Sequence, residues 1–327
     1  MSKIIEEFGG RLNITQFECA DMHSGACVRY LGEQVKTPYC AVSGDDDYFF
    51  PGSIELCAGF LDKYPEYAIA YGKTIYVYQE EIGGRQKIVR IAQRPHVAIE
   101  AQTAVERFSK FMSSKERQGI LFSLYRASAL RAVYSGSAEL RNFADGSIFE
   151  NELLPLCFTT LIGKAKSLDC LYMACTIRKQ GEERTPPVYH RVDNIEQVPS
   201  YQCFSKLLTK ELMLCDSIDE EKAGSLIRET ILPFFKRTKA MVFKSRQDAA
   251  KSRGSVLRKV VRKFRPIRSV WTWLRLLGIS REPNLVSLVQ LAGPFSPYRR
   301  QFLALYGLLA NEFPVAERSG ASGNSNK

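Results

Sequence analysis

Apolar runs with aromatic and β-branched residues read as strands over residues 67–78 and 86–92, and the polar, glycine-containing stretch 80–85 between them predicts a hairpin. A third long strand is expected over 164–178, and shorter ones over 13–17, 39–42 and 119–125. Elsewhere the spacing is helical. Pro51 is placed to open a helix whose apolar positions include Ile54, Leu56, Cys57, Phe60 and Leu61. Further helices are expected over 24–31, 103–115, 127–134 and 147–161, the last closed by Gly163 as a C-cap after the loop 135–146. From Pro199 onward the pattern is helical with little strand signal, and the polar residues 317–327 predict a disordered tail. These elements imply an α/β fold, a mixed sheet flanked by helices, over residues 1–195, followed by a helical C-terminal extension over 196–316. No internal repeat interrupts that division.

A chain of 327 residues that is 45% apolar can bury one substantial core plus an appendage. No apolar run reaches the roughly 18 residues that a membrane span needs, and the first residues lack the apolar stretch of a secretory signal. A cytoplasmic protein is therefore expected. Nine cysteines show no C-x-x-C pair, and their odd number argues against a complete disulfide framework, so most are expected to be small buried side chains. Only His23, His96 and His190 are present, which disfavours a histidine-rich zinc site.

The formal charge of +11 is concentrated in one segment: residues 236–281 hold fifteen Lys and Arg against one acid, Asp248, so the rest of the chain is slightly acidic. Within it Leu257, Val260, Val261, Phe264, Ile267, Trp271 and Leu274 fall at helical spacing, most of the cations lie off that stripe, and Pro266 should kink or divide the helix. A basic amphipathic helix ending in Trp271 and Trp273 fits an anionic membrane surface, on the inner face of the membrane for a cytoplasmic protein. A helix that packs its stripe on the rest of the protein would read the same. Nucleic acid is a weaker alternative, because a basic stripe without a recognition motif meets only the first test of a nucleic-acid binder.

The densest chemistry lies between Thr37 and Pro65, TPYCAVSGDDDYFFPGSIELCAGFLDKYP, where Asp45, Asp46 and Asp47 follow a short apolar strand and precede a helix. Three adjacent carboxylates repel unless solvent screens them or a hard cation neutralises them, and oxygen ligands suit Mg2+ or Mn2+. In open α/β sheets, ligands gather outside the carboxyl ends of strands. The plainer alternative is an acidic turn with one Asp capping the next helix.

The segment SGDDDYFFPGSIELCAGFLDKYPEYAIAYGK resembles the metal-binding stretch of GT-A glycosyltransferases of the family 2 type, and in particular one bacterial branch of them, over roughly residues 10–190. The resemblance implies a Rossmann-like, nucleotide-diphospho-sugar transferase sheet in which Asp45, Asp46 and Asp47 hold Mn2+ or Mg2+ against the diphosphate of a nucleotide-sugar donor. It also implies a glycan or lipid-linked acceptor and an inverting transfer. Such a transfer needs a general base for the acceptor hydroxyl. In these enzymes the base comes from a Glu-Asp pair at a helix. Here Phe149-Glu150-Asn151-Glu152-Leu153 resembles that pattern with Asn151 in the place of the Asp, and an amide cannot act as base. The role then passes to Glu150, Glu152 or Asp145, with Glu150 preferred. All three could equally be acids that favour a helix start.

Basic residues after the strand 164–178, among them Arg178, Lys179 and His190, would by the same resemblance bind the leaving diphosphate. As a lone feature a basic loop is simply solvated. Only 44 residues precede Asp45, with no clear pair of βα units among them, whereas the family places its nucleotide-holding strands there. The expectation is therefore a GT-A-like domain that is N-terminally incomplete. A catalytically inactive membrane-surface scaffold that keeps the fold is the alternative.

Overall fold

The computed structural model describes residues 10–19, 22–45, 47–82, 85–94, 98–114, 117–140, 143, 149–178, 194–253 and 284–310. Two long strands organise it. β3 (Tyr67–Ile82) and β6 (Lys164–Arg178) pair in parallel along most of their length. Around them lie β1 (Tyr39–Cys40), β2 (Asp47–Phe49), β4 (Arg85–Gln93) and β5 (Leu124–Arg126), in the order β1-β5-β3-β6-β2, with β4 also hydrogen-bonded to β3. All pairings other than β3 with β6 are antiparallel, so the sheet is mixed.

β3 is rich in β-branched and aromatic residues, which suit a pleated sheet surface, and β6 lies beside it with its run from Cys170 to Cys175 buried. Their pairing slips at Gly72, between the register pairs of Tyr71 and Lys73. A Cβ at Gly72 would stand 2.5 Å from both the carbonyl oxygen and Sγ of Cys170, and 2.9 Å from Tyr172 Cβ. Gly72→Ala is therefore expected to cost about 2–3 kcal/mol by overpacking against backbone, read as a lower urea midpoint.

The helices are α1 (Ser24–Gln34), α2 (Pro51–Lys63), α3 (Ala104–Ser113), α4 (Ala127–Ser135), α5 (Ser137–Leu140), α6 (Leu154–Ile162), α7 (Pro199–Asp216), α8 (Glu220–Arg253), α9 (Leu288–Ala292) and α10 (Arg299–Ala310). Thr103 and Glu106 form a reciprocal cap on α3. The carboxylate of Asp216, the last residue of α7, accepts from the next two free amides, Ala104 N at 2.7 Å and Val105 N at 2.9 Å. One large apolar cluster runs from α2 and the sheet through α3, α4 and α6 into α7 and α8. Phe149 joins it, stacked on Phe204 at 4.8 Å and edge-on to Phe235. A second, smaller cluster covers the other part of the sheet, where Phe302 and Leu305 of α10 and Val286 and Leu291 pack on Ile75, Val77, Ile91 and Leu171.

Arg107 is the buried cation of the first cluster's rim. Its Nε donates to Thr160 O at 2.9 Å and Nη2 to Leu161 O at 2.6 Å, at the end of α6. Nη1 donates to Gln102 O at 2.7 Å and Ala101 O at 3.2 Å. One guanidinium thus satisfies carbonyls of a helix C-terminus and of the chain entering α3.

Four expectations need correction. Residues 13–17 form no strand; they lie beside α1, where Phe17 meets Tyr30 edge-on at 5.5 Å, and no sheet edge reaches them. Residues 117–122 coil as a 3-10 turn, Arg117–Phe122, and only Leu124–Arg126 pair as strand. The Tyr125 hydroxyl closes that turn by donating to Ile120 O at 3.0 Å and Leu121 O at 3.3 Å. The helix expected from 147 begins as a π turn, Phe149–Leu153, because Pro155 has no N–H to return to Asn151 O and the α-ladder starts only around it. Gly163 is no left-handed cap: its φ of −172° is extended. Its small size is required instead by β3, since a Cβ there would come within 2.7 Å of Ala68 Cβ.

All nine cysteines are free thiols; Cys57, Cys157, Cys170 and Cys175 are buried, four others are half-buried and Cys215 is exposed. Among the described residues no helix is long and apolar enough to cross a membrane.

At one end of the sheet Glu100 accepts from Lys166 Nζ at 2.6 Å and from the Tyr67 hydroxyl at 3.0 Å. The Lys166 hydrogen bond holds the Glu100 carboxyl below its ordinary value of 4.5. A depressed folded-state value gives stability that is complete above the unfolded value and lost as pH falls through the folded one. Glu100→Gln is thus expected to be less stable than wild type at neutrality and to converge with it below about pH 4.5, so that the acid limb of its stability–pH curve is flatter. Thermal unfolding of both proteins from neutral to acid pH reads this out.

Candidate functional site

The acidic triplet sits in the link between two edge strands rather than directly between a strand and a helix. β1 ends at Cys40, residues 41–44 have no regular structure, Asp45 lies in a turn, and Asp47 opens β2, which precedes α2. Asp46 lies outside the described residues. Asp45 is exposed and Asp47 half-buried. No ion pair engages either of them among the described residues.

β2 is held by β6, with Asp47 opposite Cys175, Tyr48 opposite Ala174 and Phe49 opposite Met173. The ladder continues through Phe50, whose N–H donates to Tyr172 O at 3.0 Å. Immediately afterwards Ser53, at the start of α2, donates its hydroxyl to Leu171 O at 2.7 Å and accepts from Gln301 Nε2 at 3.2 Å. The backbone that carries Asp47 is therefore tied to β6 on one side and to α10 on the other.

Arg178 ends β6 three residues beyond Cys175. At the strand rise that separation is about 10 Å. The Asp47 end of the acidic motif and the Arg178 end of β6 thus share one corner of the sheet. Lys179 and His190 lie outside the described residues, as does Asp145.

Glu150 stands apart in kind. It belongs to the π turn that packs against α1, α5 and α7, and it is fully buried. Glu152 shares that turn. The single-residue link from α6 to β6, with α6 packed on β3, runs the helix back along the sheet from the π turn to the strand's start.

Among the described residues no three or more His, Cys, Asp and Glu side chains come together as a metal-holding group. Asp45 and Asp47 still offer the hard oxygen donors that a small divalent cation takes, one residue to either side of Asp46. The donor chemistry fits Mg2+ or Mn2+.

One polar cluster had no short-range signal in the sequence. Lys73 pairs with Asp169 and with the Tyr298 hydroxyl, and that hydroxyl donates to Asp169 at 2.7 Å. Lys73 is 96 residues from Asp169 and 225 from Tyr298, so only the fold unites them. The cluster pins the loop before α10 to the sheet beside an open groove of about 800 Å3, lined on one side by Lys73, Ile75 and Leu171 and on the other by residues from Asn284 to Tyr298.

No protein-family model matches this chain, and no curated protein matches it in sequence. What defines it is the fold class, a mixed α/β sheet flanked by helices, and the acidic corner that β2 and β6 build.

Proposed function

We propose that the chain is a GT-A-like, metal-dependent glycosyltransferase that moves a sugar from a nucleotide-diphosphate donor to a glycan or lipid-linked acceptor. The observation that carries the reading is the antiparallel pairing of β2 with β6, by which Asp47 stands three residues along the sheet from Arg178. A donor diphosphate carries both a need for a cation and a need for basic partners, and this corner supplies residues for each. Asp45, Asp46 and Asp47 would hold Mn2+ or Mg2+. Bound there, the ion supplies Lewis acidity to the diphosphate as it leaves. Arg178, Lys179 and His190 would take up the charge that develops on the departing phosphate oxygens.

Glu150, Glu152 and Asp145 are the candidates for the base that receives the acceptor's proton. Glu150 is closed to solvent, so its use requires the acceptor to reach the π turn. That same burial favours a second reading, a catalytically inactive member that keeps the scaffold and works by surface contact.

The test is thermal unfolding of the 327-residue chain against a panel of nucleotide diphosphates and nucleotide sugars, with and without Mn2+. A donor at 100 times its dissociation constant should add about 2.7 kcal/mol of stability. A Mn2+-dependent rise with one nucleotide supports the transferase; no rise with any donor sinks it.

A further inference from the structure

The corner between α9 and α10 keeps an aromatic ring in water. Phe295 is 99% exposed, Val289 on α9 is 61% exposed, and both overlook the groove beside Lys73. This is not a loose loop. Gly293 N donates to Val289 O at 2.9 Å, Ser296 N to Gly293 O at 3.0 Å, and the Ser296 hydroxyl to Gln290 O at 2.7 Å. Tyr298 N donates back to Ser296 Oγ at 3.2 Å, and Tyr298 itself is anchored by Lys73 and Asp169. Pro294 and Pro297 flank the ring's two sides in sequence and restrict the backbone further. Scattered surface hydrophobics are ordinary. An aromatic carried by a bonded, proline-framed turn has already lost much of the backbone entropy that docking would cost.

Charge says what the tip meets. Arg299 and Arg300, the first two residues of α10, are exposed directly behind it. Asp169, the acid that touches the corner, is already paired with Lys73. The chain also enters the corner at Asn284, on the wall of the same groove, only three residues after the basic run 236–281 ends. An exposed apolar ring backed by two exposed arginines fits the interface of an anionic bilayer, where the ring sits at the acyl boundary and the arginines at the headgroups. It does not fit a reader of nucleic acid, which needs polar groups at base edges.

We propose that the turn 293–298 is a membrane-insertion tip, with Phe295 and Val289 entering an anionic lipid surface and Arg299 and Arg300 holding its headgroups. This rests on no part of the transferase reading. The test is co-sedimentation of the full chain with vesicles of phosphatidylcholine alone and with about one-third phosphatidylserine, at ~0.1 M and ~0.5 M NaCl. Phe295→Ser is expected to weaken binding to the anionic vesicles about tenfold, with an unchanged melting temperature because the ring has no packing to lose. Arg299→Glu with Arg300→Glu should abolish the preference for anionic over neutral vesicles at the lower salt. Wild-type binding that ignores phosphatidylserine, or binding by Phe295→Ser equal to wild type, overturns the proposal. So does an absence of vesicle binding alongside salt-sensitive binding to single-stranded DNA that Phe295→Ser removes, since aromatic stacking on bases would then explain the tip.

Discussion

Replacing Arg107 with methionine is expected to lower the unfolding free energy by about 2–5 kcal/mol, because the buried carbonyls of Thr160 and Leu161 lose their donor in one step, each orphaned acceptor costing about 1–3 kcal/mol, and two part-buried carbonyls lose theirs with them. Arg107 is only 6% exposed, and its guanidinium bonds Ala101, Gln102, Thr160 and Leu161. Methionine fills much of the same volume, so the loss comes from hydrogen bonding rather than from a cavity. Burial already pulls the Arg107 pKa downward. Lysine has no planar fork and cannot reach both carbonyl pairs, so Arg107→Lys should fall between the two. Urea unfolding with unchanged slope is the measurement; an unfolding free energy for the methionine variant within about 1 kcal/mol of wild type would show that the carbonyls find water instead.

Asp47→Ala is expected to remove the Mn2+-dependent stabilisation by donor and to lower transfer by about 100-fold or more, the scale on which a Lewis-acid contact of several kcal/mol acts. The fold should survive, since Asp47 is half-buried and its strand is held through backbone pairing with β6 and through Ser53. Unchanged melting of the unliganded variant is therefore the control. A Mn2+-dependent donor shift that persists in Asp47→Ala would move the cation away from β2.

Most long elements were legible because their signals are local. Pro51 opens α2 as its position predicts, and the helix expected over 103–115 forms over Ala104–Ser113. Residues 164–178 read as one strand and form one. Misreadings arose where a distant partner decides the backbone. GILFSLY has a strand's composition, yet Tyr125 turns its hydroxyl back on Ile120 and Leu121. Gly163 has a cap's composition, yet Ala68 on β3 sets the need for it. The acidic triplet was visible at once as chemistry, while its setting beside Arg178 depends on an antiparallel pairing between residues more than a hundred positions apart. Lys73, Asp169 and Tyr298 carry no pattern of their own.

The second apolar cluster has a consequence for the order in which the protein is made. The large cluster has all its residues once Phe235 has been synthesised, whereas the small one waits for Val286, Leu291, Phe302 and Leu305. Until they emerge from the ribosome, Ile75, Val77, Ile91 and Leu171 lack that cover while the part of the sheet in the large cluster can already condense. Because chains grow from the N-terminus at about 5–20 residues per second, that apolar face stays open for several seconds in every newborn molecule. A polypeptide arrested before residue 284 would keep it open permanently, and such fragments should need chaperones or be cleared as aggregates.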